Sequence, residues 1–171
     1  MAGLSVWRLP AEYIRWTTLQ PSYGNVMEPI TYPADLVYDK ITFRENLDRD
    51  CQFLLLDGWG RGKHMHYDTN AIIKYHDDGQ DWLIDGDYLV RNTTDHTMIS
   101  VIRDGRANKL VPSAARLDAY ADLDTCAFTR TTVEDYNGAD WSRNILWLKG
   151  LGFVLLDELK AREAGEYTFE N

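Results

Sequence analysis

The sequence predicts an all-β chain, an antiparallel β-sandwich of two sheets. Two patterns carry this prediction. From Tyr38 onward, short runs rich in β-branched and aromatic residues recur, and turn signals separate them at the intervals an antiparallel sandwich uses. The 171 residues, 44% of them hydrophobic and 12% aromatic, are also the size of one ordinary domain with enough apolar surface to close a core.

In chain order, residues 1–36 read as an irregular lead-in. They hold four of the five prolines (Pro10, Pro21, Pro29 and Pro33) and little periodicity beyond a short helical pattern over residues 11–17. Residues 37–171 read as the sandwich domain. About nine strands are predicted there, over 39–43, 52–57, 71–75, 82–85, 97–103, 116–121, 127–133, 143–148 and 153–156. Asp78-Gly79 suits a tight turn with positive φ between the third and fourth, and Lys149-Gly-Leu-Gly152 does the same between the last two. The stretch 156–163 fits either a short helix or a strand running into a polar turn. Alternation resumes at residues 166–171 without a closing turn, so the fold is expected to extend beyond this chain.

Eighteen basic residues against 27 acidic ones give a net charge of −9, with no Lys/Arg run able to track a phosphate backbone. Nucleic acid is therefore not an expected partner. No window approaches 18 consecutive apolar residues, and the first residues lack both the basic and the apolar region of a signal peptide, so the sequence predicts a soluble chain with no membrane partner. Cys51 and Cys126 lie 75 positions apart and could form a buried thiol pair or one disulfide, buried free thiols being the plainer reading.

All four histidines fall between residues 64 and 96. His64 and His66 sit in a Gly-rich stretch, Gly58-Trp-Gly-Arg-Gly-Lys-His64-Met-His66-Tyr-Asp68-Thr-Asn70, and His96 follows Asp95. Imidazole and carboxylate are the usual ligands of Zn²⁺, and His66, Asp85 and His96 supply a three-ligand set that leaves a fourth position open. In an extended segment His64 and His66 face one way, so either both bind metal or one binds while the other does chemistry. Asp85 and His96 are placed at strand ends, where loops gather and sites form. His76, beside Asp77 and Asp78, reads as a solvated turn residue. Of Trp59, Trp82, Trp141 and Trp147, only Trp59, beside the Gly-rich loop, stands out as a sugar-stacking candidate; the others read as core.

Four ordered elements resemble the heparinase II/III-like polysaccharide lyases. They are Phe53-Leu-Leu-Leu-Asp57-Gly58; Gly62-Lys-His64-Met-His66-Tyr-Asp68-Thr-Asn70; Trp82-Leu-Ile-Asp85-Gly-Asp-Tyr88; and Asp95-His96-Thr before an apolar run. The stretches Trp141-Ser-Arg-Asn-Ile-Leu-Trp147, Phe153-Val-Leu-Leu-Asp157 and Ala164-Gly-Glu-Tyr167 are also similar to that family's supersandwich-like domain. The resemblance implies cleavage of acidic, uronate-containing glycans such as a glycosaminoglycan or alginate by β-elimination. It implies that His66, Asp85 and His96 hold a Zn²⁺ that mainly fixes loop geometry, and that His64 reaches the substrate uronate. Trp59 and Lys63 are the expected substrate-binding residues. It further implies that this chain is a fragment lacking the family's N-terminal α/α toroid, which carries the catalytic Tyr and its partner, and that its home is periplasmic or secreted. The 11 positions from Asp85 to His96 are a short interval that leaves little room for an added substrate loop.

Two other classes compete. A non-catalytic module would bind glycan or protein with a purely structural metal. A cupin-type metal oxygenase also uses a Gly-rich His-x-His, but its Glu ligand is missing: Asn70 and Ala71 stand where it would fall.

Overall fold

The computed structural model describes residues 2–14, 30–60, 67–86, 92–107 and 110–170. A five-stranded antiparallel sheet runs in simple sequence order: β1 (Gly3–Arg8), β2 (Tyr38–Arg44), β3 (Phe53–Asp57), β4 (Ile72–Asp77) and β5 (Gln80–Ile84). After a 3₁₀ turn at Thr93–Asp95 and β6 (Ser100–Arg103), a second meander forms from β7 (Arg116–Asp122), β8 (Cys126–Tyr136), β9 (Ala139–Leu148) and β10 (Gly152–Ala161). The last strand, β11 (Tyr167–Glu170), pairs with β6 in a small third ladder.

Alternation explains why the two large sheets face each other. On the first, Ile41, Phe43, Leu54, Leu56 and Ile72 point inward; on the second, Leu117, Ala127, Val133, Trp141, Ile145 and Trp147 meet them in one core. An aromatic knot closes one end. Phe43 packs edge-on against Trp147 and Phe153, at centroid distances of 6.2 and 5.7 Å, while Trp147 and Phe153 stack at 5.8 Å. The sheets remain open at their edges, so the two-sheet sandwich read from the sequence holds and the closed barrel of a cupin does not form.

All nine expected strands form, with shifted ends, and two more join them. Gly3–Arg8, inside the stretch read as an irregular lead-in, is an edge strand paired with β2 along its length, with Leu4 and Val6 against the core. A helical turn follows at 11–14, and the rest of the helix expected there lies outside the described residues. The undecided stretch after Leu156 is strand. Pairing with β9 continues to Ala161 because Asp157 and Leu159 fall on the inward parity, where Asp157 is hydrogen-bonded and Leu159 joins the core. β10 is thereby ten residues long and lies at the edge of its sheet, with Val154 and Leu156 exposed.

The Asp78-Gly79 turn is as expected, both residues at positive φ (51° and 71°), joining Asp77 to Gln80. β5 departs from expectation: as an edge strand it is exposed throughout, and Trp82 is 58% exposed rather than core. Trp141 and Trp147 are fully buried. His76 stands within β4, not in the turn, with its Nδ1 2.6 Å from Asp81 Oδ1. Cys51 and Cys126 are free thiols, but each is only half-buried.

Candidate functional site

The start of β4 brings Asp85 and His96 together. The Asp85 amide donates to the Ile73 carbonyl (2.9 Å), carrying the chain one residue past β5 along the same ladder. On the other side, the Ile72 amide donates to the Thr97 carbonyl (3.2 Å), and the Thr97 hydroxyl returns a bond to the Ile72 carbonyl. A 3₁₀ turn at Thr93–Asp95 delivers His96, whose amide closes the turn on the Thr93 carbonyl. Thus Asp85 and His96, 11 positions apart, sit side by side with His96 Nδ1 2.9 Å from Asp85 Oδ2. The second carboxylate oxygen accepts the Thr97 amide at 3.2 Å. Both side chains are sealed from solvent, at 2% and 0% exposure. The hydrogen bond to Asp85 holds the His96 imidazole above its usual pKa against the opposing effect of burial, and the charges of Asp85, Asp68 and Asp95 act the same way.

Asp68 and Asp57 extend this cluster. Asp68 is buried, and its charge acts on both His96 and Asp57. Asp57, at the end of β3, accepts the Lys40 ammonium and the Trp59 amide on Oδ1, each at 2.9 Å. Burial, reinforced by Asp68, nevertheless pushes the Asp57 carboxyl up to about 7 although Lys40 pulls it down. The Gly-rich loop leaves this point under close steric constraint. A Cβ on Gly58 would overlap the carbonyl and ring of Tyr38, and one on Gly60 would collide with Thr69 and Asp68. Glycine here allows the backbone to press onto its neighbours.

Asn70 closes the motif at φ 69°, a left-handed conformation that Asn tolerates better than most residues. Its Oδ1 accepts the Tyr38 hydroxyl at 3.1 Å and the Thr131 hydroxyl at 2.7 Å, binding the motif to both sheets. Burial drives the Tyr38 phenol far up, so it serves only as a neutral donor.

Of the residues singled out from the sequence, Asp85 and His96 are brought together. His64, His66, Lys63 and Tyr88 lie outside the described residues. Trp59 is half-buried, and its ring packs on the small cluster of Leu9, Ile30, Val37 and Ala114, edge-on to Tyr13 at 6.2 Å. Its Nε1 is buried without a hydrogen-bond partner among the described residues. Sequence reading passed over Lys40, Asp57 and Arg143. For Arg143 a signal existed: it occupies the inward parity of Trp141, Ile145 and Trp147, where a charge is out of place.

Among the described residues, no group of three His, Cys, Asp or Glu side chains could by itself hold a metal ion. The pair present, one imidazole and one carboxylate, is of the donor type that binds a divalent ion together with further ligands. Two atoms on one tetrahedral zinc lie about 3.3 Å apart. The Asp85–His96 pair, at 2.9 Å, would need to open by only a few tenths of an ångström to share one, or Asp85 could orient the ring for ligation through its other nitrogen.

No protein-family model matches this chain, and no curated protein matches it in sequence. Its fold is that of a β-sandwich portion found in polysaccharide lyase structures. Heparan sulfate lyase HepC from Pedobacter heparinus matches 91% of the chain with a TM-score of 0.61 and 17% identity. A heparinase III with methylated lysines matches 94% of it, with a TM-score of 0.60 and 15% identity, and another heparinase III structure matches 72%, at 0.59 and 14%. The chain spans 28%, 29% and 21% of those three proteins, respectively.

Proposed function

We propose that this chain is the zinc-binding β-sandwich portion of a polysaccharide lyase that cleaves uronate-containing glycans by β-elimination. The observation that carries the reading is the sealed Asp85–His96 pair, at 2.9 Å, in a fold shared with heparinase III. His66 would complete the ligand set with Asp85 and His96, and the ion would supply fixed loop geometry at the mouth of the site. His64, two positions from His66, would face the substrate uronate and neutralise its carboxylate as imidazolium or hydrogen-bond donor. Trp59 and Lys63 would contact the sugar and its acidic groups. Elimination also needs a base to take the C5 proton and an acid to protonate the departing O4. In this reading an α/α toroid supplies them, and the short share of the lyase structures that the chain spans supports a missing partner domain. A periplasmic or secreted setting follows from the substrate class.

The same short span favours one second reading, a glycan-binding module that is inactive alone. Elemental analysis of the purified chain separates the claims. One zinc per chain is expected in the wild type and in His64→Ala, and none in His66→Ala; a wild type without zinc after reconstitution refutes the metal site. Heparan sulfate, the substrate named for HepC, is then the first glycan to test. Ultraviolet absorbance from unsaturated uronate marks a lyase, whereas binding without product marks the module.

A further inference from the structure

We infer that Arg143 is the positioning residue of this site: its guanidinium fixes the two segments that carry the candidate zinc ligands relative to each other. The inference rests on the zinc reading for its function, but its geometry stands on the described residues alone.

Arg143 lies on β9 between Trp141 and Ile145, facing the core with a side chain 2% exposed. A charge placed there needs compensation, and Asp157 on the neighbouring β10 provides it. Nε donates to Asp157 Oδ1 and Nη2 to Oδ2, each at 3.0 Å, a planar two-bond grip. Trp141 fixes the carboxylate from the side, its Nε1 donating to Oδ1 at 2.8 Å, and the guanidinium lies over the Trp141 ring, 4.7 Å from its centroid. Charge neutralisation would be complete with those contacts.

The remaining nitrogen does something else. Nη1 donates to the Asn70 carbonyl at 2.9 Å and to the Thr97 carbonyl at 3.0 Å. Asn70 ends the motif that contains His64, His66 and Asp68. Thr97 directly follows His96, and its amide holds Asp85. One rigid fork therefore spans both ligand-bearing segments from the opposite sheet. Among the described side chains, Arg143 is the one that donates to both carbonyls. Asp157 and Trp141 set where the fork points, so the second sheet dictates the spacing of a site built on the first. Lysine cannot replace it, because one ammonium on a flexible stem cannot grip Asp157 with two parallel bonds while reaching both carbonyls.

The test uses the full chain as wild type, Arg143→Lys and Ile145→Val, the last a core-weakening control on the same inward face. Zinc affinity is read by competition with a chromophoric chelator, and ligand geometry by the visible spectrum of the Co²⁺-substituted protein. Amide exchange of segments 67–73 and 95–99 is followed in zinc-free protein. Arg143→Lys should weaken zinc by about tenfold to a hundredfold, alter the Co²⁺ spectrum and accelerate exchange in those two segments. Ile145→Val should lower thermal stability with zinc affinity and both segments unchanged. Unchanged affinity and exchange in Arg143→Lys would overturn the inference, as would equal zinc loss in the control. If the wild type takes up no zinc, the metal reading fails and exchange decides the brace: acceleration confined to the two segments supports it, and uniform acceleration across the core overturns it. Should Arg143→Lys not fold, Asp157→Asn keeps the strand and the Trp141 acceptor while loosening the grip, with the same expectations.

Discussion

Replacing Asp57 by Asn should make the protein more resistant to alkaline conditions, which is the reverse of what losing a salt bridge suggests. Asp57 carries an ion pair to Lys40 at 2.9 Å, yet burial and Asp68 raise its carboxyl from 3.8 to about 7 in the folded chain. The folded state therefore binds a proton that the unfolded state has already released. Stability from this group is complete below about pH 4 and is lost as pH climbs through about 7. Three pKa units correspond to about 4 kcal/mol in all, of which about 2–3 kcal/mol falls between pH 5 and pH 8. Asn mimics the neutral carboxyl in size and keeps an oxygen for the Trp59 amide and Lys40. The variant and wild type should melt together only below about pH 4, and between pH 5 and pH 8 the variant's lead should widen by about a further 5–10 °C. Chelator in the buffer keeps metal out of the comparison. Thermal unfolding followed by circular dichroism at a series of pH values measures the difference directly, and His96, whose pKa is also raised, is common to both proteins. Parallel profiles from pH 5 to 8 would refute the raised carboxyl, and a variant less stable at pH 8 would make the Lys40 pair the dominant effect.

Two further outcomes follow from the same cluster. Asn70→Ala should cost about 2–3 kcal/mol in urea unfolding, because it leaves the buried Tyr38 and Thr131 hydroxyls only their longer bonds to the Asp57 and Arg143 carbonyls, at 3.4 and 3.3 Å, and puts an alanine at φ 69°; a loss below about 1 kcal/mol would mean that those longer bonds suffice. In zinc-free protein, Asp85→Asn should lower the His96 pKa seen by NMR, since the Asp85 hydrogen bond is the main cause of its elevation. The wild type would then hold an acid-side stability that the variant lacks, lost as pH rises through the His96 value, and an unmoved imidazole would show that Asp85 does not set it.

Most of the fold was written in local pattern. Runs such as Phe53-Leu-Leu-Leu-Asp57 and Trp141 to Trp147 alternate or concentrate apolar residues so strongly that strand is the only way to bury them, and Asp78-Gly79 names its own turn. β1 escaped because six residues ahead of a proline carry too little pattern, and its strand character comes from lying beside β2. Trp82 was misjudged for a related reason: alternation reports a strand but not whether a second sheet covers it. In the site, Asp85 and His96 could be paired by type and order, while the cause of their meeting, the shared ladder at Ile72 and Ile73, is a tertiary fact. Asp57 and Arg143 show the same boundary. A carboxylate at a strand end looks like any solvated acid until its neighbours are placed, and an arginine on the inward parity looks like a register error until Asp157 arrives from the next strand.

Among the described residues β10 is the edge of its sheet, so along its ten positions the backbone groups of alternate residues point away from β9. The half running from Asp157 to Lys160 carries three charges that discourage an incoming strand, whereas Phe153-Val-Leu-Leu156 carries none. Self-association of this chain would therefore begin at that apolar half, making protein concentration a variable to hold fixed whenever its stability or metal content is measured.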